Sequence, residues 1–299
     1  MAETRVSKYI EPPHLRLSRN RLYRRRFARN RGAMIGLMLL GFLVIYATLG
    51  GLLTPWHWSD QDFLALTERP SGRHLMGTNQ GGGDVLAQTV VGLRRSLMIG
   101  LSVSCMTTLI SAMVGAFAAY FGGWIERLAL ALIHFLLIVP SFLVLALVSN
   151  RVGGDWLVLV FALALFGWMI AARGVWSMST SLRERDYILA AEFMGVPKWR
   201  IVLRHILPHL SSLLVVNFSL GVTAAVLAET SLSFLGFGVK PPDVSLGSML
   251  ADGAGVISSA SWLFAFPAAF LLLFTMSMTL IADGVRDALD PVSAEASRR

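Results

Sequence analysis

Residues 96–125 read SLMIGLSVSCMTTLISAMVGAFAAYFGGWI, thirty consecutive positions without one charged side chain. A transmembrane helix needs about 20 mainly apolar residues to cross a hydrocarbon core of about 30 Å, so this stretch alone suffices for a span. Five further uncharged runs accompany it, at 33–53, 128–150, 156–172, 207–228 and 254–282, the last with its helix expected to start near Trp262. The whole chain agrees: 55% of its residues are hydrophobic, 15% are charged, and the mean hydropathy is +0.63. A soluble domain carries roughly 25% charged residues to solvate its surface. Inside a bilayer every backbone polar group must be satisfied within its own segment, which for runs of this length means helices. The chain therefore reads as an all-α, polytopic membrane protein with six transmembrane helices.

Lys and Arg accumulate on the cytoplasmic side of a membrane protein, and this sets the orientation. With six spans and a cytosolic N-terminus, the inside segments are 1–32, 126–127, 173–206 and 283–299, and they hold 20 of the 26 basic residues. Both termini are then cytosolic. If the short run 156–172 did not cross, the basic segment 173–206 would face outward against this bias. The first run exceeds a signal-peptide core of about 7–15 residues, and no small-x-small cleavage pattern follows it in 50–55. The Arg-rich stretch 16–31 reads instead as a topology anchor. The net charge of +8 sits in short segments beside apolar runs, so the partner implied is the anionic lipid surface and not nucleic acid. Cys105 is the single cysteine and lies within an apolar run, which excludes an internal disulfide.

The segment with most information is 183–208, RERDYILAAEFMGVPKWRIVLRHILP. Residues 183–194 are good helix formers. Gly195 follows them where a left-handed C-terminal cap is wanted, Pro197 suits the first turn of a second helix, and Pro208 marks its end or a kink. On the second helix Trp199, Val202, Leu203 and Ile206 share one face by helical spacing, with Arg200 and Arg204 pointing elsewhere. The prediction is a helix–turn–helix protruding into the cytosol.

This segment resembles the E-A-A loop of bacterial ABC importers, written as E-A-A, three residues, G, nine residues, I-x-L-P. Ala190, Ala191, Gly195, Leu207 and Pro208 match it. Leu189 stands where the motif has glutamate, and His205 where it has isoleucine. The R-H-I-L-P ending, Arg204 to Pro208, is similar to the form used by the peptide-importer branch. Three other segments resemble oligopeptide and dipeptide permeases: 77–85 (GTNQGGGDV, departing at Asn79 and Gly83), 229–242 (ETSLSFLGFGVKPP) and 283–291 (DGVRDALDP). With the basic N-terminus they carry the resemblance over about residues 16–291, to the C-type permease of a peptide importer.

That resemblance implies an ABC importer type I transmembrane domain. It divides the chain into a basic cytosolic segment 1–32, a first transmembrane helix 33–53, an extracytoplasmic loop 54–93, the five-helix domain 94–283 with a coupling loop at 183–206, and a cytosolic tail 284–299. It implies a B-type permease partner, two ATP-binding subunits or one fused ATPase, and an extracytoplasmic binding protein that delivers peptide. The implied coupling residues are Ala190, Ala191, Gly195, Trp199, Arg200, Arg204 and Pro208, with Ala190 and Ala191 small so that the ATPase can approach closely. The implied function is translocation of oligopeptides or dipeptides across the cytoplasmic membrane by alternating access.

Chemistry within the chain is otherwise sparse. It has no phosphate loop and no Gly-Lys pair, so ATP and Mg are expected on partner subunits, and no catalytic, cofactor or metal residue is assigned. His205 and His209 are the only histidines four apart, and Pro208 between them argues against a metal pair. His134, inside the third run, and Glu229, at the outer end of the fifth, are the candidate pathway or gate residues. The alternatives are a His134 bonded to a neighbouring backbone and a Glu229 solvated at a helix end. Gly115, Gly122 and Gly123 would permit close helix packing. Nickel or another small solute is the alternative cargo. An ATP-independent carrier would show mid-span charges or inverted repeats, and neither is visible.

Overall fold

A computed structural model describes residues 19–152 and 154–289, and every regular element among them is a helix. Much of the expected N-terminal segment and tail lies outside the described residues. Helix α1 (Arg19–Arg29) leads into α2 (Arg31–Leu49), which closes on a tight 3-10 turn, Gly50–Leu53. Asn30 breaks the two apart: its Oδ1 accepts the Ala33 N–H at 3.0 Å as an N-cap, and its Nδ2 donates to Asp287 at 2.9 Å. The start of α2 and the end of the last helix therefore lie at one side of the bundle.

A loop, 54–84, precedes α3 (Val85–Phe121), the longest helix at 37 residues. It begins earlier than the uncharged run because Asp84 caps it, accepting the Ala87 N–H at 2.8 Å. Arg94 and Arg95 thus ride on the helix. Arg94 donates through Nε and Nη2 to the Ala47 carbonyl at 2.9 and 2.7 Å, where α2 runs out of internal donors.

Gly122 and Gly123 both take positive φ, +64° and +59°, and turn the chain into α4 (Gly123–Ile138). They make a turn and not the close helix contact expected, and a Cβ on Gly123 would meet nothing within 4 Å. Gly115 does serve packing: a Cβ there would lie 2.6 Å from the Ala172 carbonyl, so α3 and the helix carrying Ala172 cross backbone to backbone. The third run is broken at Val139–Pro140, with α5 (Ser141–Val152) bent 75° from α4. Proline removes a helical donor and forces its predecessor extended, as Val139 is at ψ 125°. The fourth run is α6 (Trp156–Gly167) and α7 (Met169–Arg183), bent 41° at Trp168. Among the described residues four unbroken helices are long and apolar enough to cross a membrane, and the two bent pairs make six spans if each pair crosses once.

Two short helices, α8 (Asp186–Phe193) and α9 (Lys198–Ile201), are followed by a π-helical turn, Val202–Ile206, and the single turn α10 (Leu207–His209). Helix α11 (Ser211–Phe234) returns across the bundle. Helix α12 (Leu246–Ala254), unforeseen, begins at a capping box in which the side chains of Ser245 and Ser248 each accept the other's backbone N–H. The described residues end in α13 (Trp262–Leu289), which starts where expected. The core joins α2, α3, α11 and α13 around Leu43, Leu93, Val226 and Phe274.

Candidate functional site

The coupling segment is assembled on the end of α3. Arg183, the last residue of α7, donates to the Ala119 carbonyl at 2.8 Å and pins α7 there. The chain turns at Glu184 and Arg185, so the expected continuous helix from 183 is interrupted. The interruption lets α8 lay Ile188 and Ala191 onto the surface that Ala116, Tyr120 and Val175 provide. At its far end Gly195 has φ +77°, its N–H donates to Glu192 O, and the Val196 N–H donates to Ala191 O. This is the left-handed cap expected from the sequence. Pro197 stands one place earlier than expected, as the extended residue before α9.

The expected apolar stripe splits. Val202 and Ile206 are fully buried together with Ile201 and Leu210, whereas Trp199 and Leu203 are exposed. Beyond α9 the Leu207 N–H reaches back five residues to Val202 O, in a π turn ahead of Pro208, which has no N–H of its own. Val202 and Ile206 form the edge of the stripe that faces the core, whereas Trp199 and Leu203 join Arg200 and Arg204, which do not point elsewhere, around an open groove of about 380 Å3. The Arg200 guanidinium lies 5.3 Å from the Trp199 ring centroid. His209 does not pair with the His205 ring; its Nδ1–H donates to the His205 carbonyl at 2.6 Å, and its ring stacks on Tyr187.

Ala191 is 3% exposed and belongs to the chain's own core, so it cannot be the small residue that meets a partner. Ala190, on the outer side of α8, is exposed. Beside it stand Phe193 at 90% and Met194 at 76% exposure, which sequence reasoning passed over as ordinary helix formers. Their signal was available: two large apolar residues placed directly before a helix-ending glycine, in a polar segment. Pro208 is exposed as well.

The other two candidates are placed far from this surface. His134 is exposed on the apolar outer side of α4, without a backbone partner among the described residues. Glu229 is not a solvated helix end: it is fully buried at the junction of α11 and α12. Its Oε1 accepts the hydroxyls of Ser233 at 2.7 Å and Ser245 at 2.6 Å, and its Oε2 has no partner among the described residues. It fastens α12 to α11 and does not line the cavity of about 500 Å3 beside them, which Trp58, Gln61, Gln88, Lys240 and Asp252 help to form. Partial burial pushes the Asp252 carboxyl above its ordinary pKa.

The Gly-rich stretch 77–85 is a folded loop. Asn79 Oδ1 accepts the N–H groups of Gly81 and Gly83, each at 2.9 Å, so this departure from the family pattern shapes the turn. Buried His74 sits between Asp84, 2.9 Å from its Nδ1, and Asp62, with Trp56 stacked on its ring. No group of three or more metal-ligating side chains converges among the described residues.

Comparison with known sequences adds the family. The sequence model of the binding-protein-dependent transport system inner membrane component matches residues 111–292, a span that contains the entire coupling segment. The chain belongs to this family. The N-terminal transmembrane domain of oligopeptide transport permease C matches residues 18–70. Among its relatives, the oligopeptide transport system permease protein OppC of Mycobacterium tuberculosis is 46% identical over 283 residues, covering 94% of this chain and 97% of that protein. OppC of Haemophilus influenzae is 34% identical over 90% of this chain and 87% of its own length. A putative peptide permease of Brucella suis is 35% identical over 89% of each. Membership makes the chain an inner-membrane permease subunit of an ABC importer. It is a transport component and not an enzyme, and such an importer includes further permease, ATPase and binding-protein components.

Proposed function

We propose that the chain translocates oligopeptides by alternating access, as one of two permease subunits paired with a B-type partner. In this reading an extracytoplasmic binding protein delivers the peptide at the face carrying the loop 54–84 and α12. Two ATP-binding subunits, or one fused ATPase, engage the face carrying α8–α10, and both termini are cytosolic. The observation that carries the cargo is the 46% identity, over nearly the full length, to a protein named as an oligopeptide permease. The coupling reading draws its support from the exposed Phe193, Met194 and Trp199, grouped on a segment whose other side is anchored to α3 and α7. Because this segment packs on both α3 and α7, force applied to α8 and α9 passes into two spans at once. The chain itself stabilises inward- and outward-facing states differentially and makes no covalent bond.

The test is uptake. Deleting the gene should abolish accumulation of labelled tri- to pentapeptides and leave single amino acids unaffected, with plasmid-borne wild type restoring the loss. Peptide uptake that persists while nickel accumulation falls would replace the peptide assignment by the metal one.

A further inference from the structure

A second cavity, of about 410 Å3, opens beside α3 at the end away from the coupling segment. It lies between the end of α2 and the start of α6, at the level where both helices leave the apolar zone. Leu52 and Leu53, next to Gly51 on its edge, are exposed apolar residues, and Trp156 opens α6. Val90 and Met98 of α3 line it together with Trp58, Trp156, Arg94 and Arg95. Tryptophan is enriched where headgroups meet hydrocarbon, because its ring is apolar and its N–H polar.

The charged residues that line the cavity are of one sign. The two arginines are the only Arg, Lys, Asp or Glu residues lining the cavity; Asp60 and Asp243 line the neighbouring one. Arg95 is paired with Asp243 and lies 5.3 Å from the Trp156 ring centroid. Arg94 spends Nε and Nη2 on the Ala47 carbonyl, which holds the guanidinium in place and leaves Nη1 without a partner among the described residues. His57 Nδ1 is engaged by the Ser59 hydroxyl, and its backbone N–H by Asp60. One positive charge is thus left uncompensated, beside an apolar wall.

We propose that this cavity binds an anionic phospholipid, with its phosphate on Arg94 and Arg95 and an acyl chain along Val90 and Met98. A free phosphate would match the arginines and gain nothing from the apolar wall, so the lipid is the occupant that fits both parts. The site would fix one headgroup between α2, α3 and α6.

The assembled importer can be reconstituted in phosphatidylcholine vesicles doped with phosphatidylglycerol or phosphatidylcholine bearing a photoreactive acyl chain. After illumination, peptides spanning 87–98 are quantified by mass spectrometry. The phosphatidylglycerol probe should label this segment about fivefold more than the phosphatidylcholine probe at equal mole fraction, the factor expected of one basic side chain near an anionic headgroup. Arg94→Gln should erase most of that preference and Arg94→Lys should keep it, while millimolar inorganic phosphate should leave it unchanged. Equal labelling by the two probes overturns the proposal, as does undiminished preference in Arg94→Gln. Displacement by inorganic phosphate overturns it in favour of a free-anion site. If Arg94→Gln does not assemble, because Ala47 loses its donor, the wild-type comparison of the two lipids decides alone.

Discussion

Gly195 and Glu229 show how differently two candidates of similar standing in the sequence can resolve. At Gly195 the demand is purely on the backbone: φ is +77°, and a Cβ would meet no atom within 4 Å. A left-handed conformation costs an ordinary L-residue about 1–2 kcal/mol, with asparagine the usual exception and β-branched residues the worst case. Gly195→Val should therefore lower peptide uptake several-fold with normal membrane insertion, whereas Gly195→Asn should stay near wild type. Side-by-side uptake and membrane-fraction immunoblots read this, and wild-type transport by the valine variant would remove the segment from the coupling mechanism. Glu229 is a matter of surroundings. Nothing in its sequence position says that two serine hydroxyls, one from its own helix and one sixteen residues on, converge on a single oxygen.

At the scale of the element, α8 has two sides with opposite duties. The inner side, Ile188 and Ala191, belongs to the chain's own packing against α3 and α7, and the outer side is free. Ala191→Trp should thus act on the subunit itself, since overpacking a filled site costs about 1–3 kcal/mol. We expect a lower melting temperature of the purified chain in detergent. Phe193→Ala removes a ring that is 90% exposed, so the isolated chain should melt as wild type while ATPase stimulation in the assembled importer falls. The reverse pattern, with Phe193→Ala destabilising the isolated chain and Ala191→Trp innocuous there, would invert the assignment of the two sides. The stripe expected at Trp199, Val202, Leu203 and Ile206 divides in the same way: its Val202 and Ile206 edge packs on the chain's own core, and its Trp199 and Leu203 edge is left outside.

For the whole molecule, the ends of the helices sort into two groups. Asn30 and Asp287 meet at one side, and Arg183 binds the end of α3 there by way of Ala119. At the other side Trp262 Nε1 donates to the Thr78 carbonyl, joining the start of α13 to the loop before α3. The charge bias predicts that the first side is the cytosolic one. A reporter fused after Arg299 should be cytosolic, and reporters inserted at Gly82 or after Lys240 should be exported. An exported C-terminal fusion would end the six-span reading.

The sequence by itself determined the membrane class, the number of apolar runs, their orientation bias and the left-handed turn at Gly195. Each of these depends on a local property: uninterrupted apolarity over a bilayer's thickness, the placement of Arg and Lys, or the absence of a Cβ. The start of α13 at Trp262 was legible for the same reason. Only the tertiary structure decided which side of α8 is spent on the chain's own core, where the third and fourth runs bend, and that Glu229 latches α12. It also decided that Arg94 and Arg95 share a cavity with Trp58 and Trp156. These outcomes depend on residues far apart in the chain meeting across helix contacts. In a helix bundle such meetings are set by where small residues such as Gly115 let two backbones approach, and not by the pattern along either helix alone.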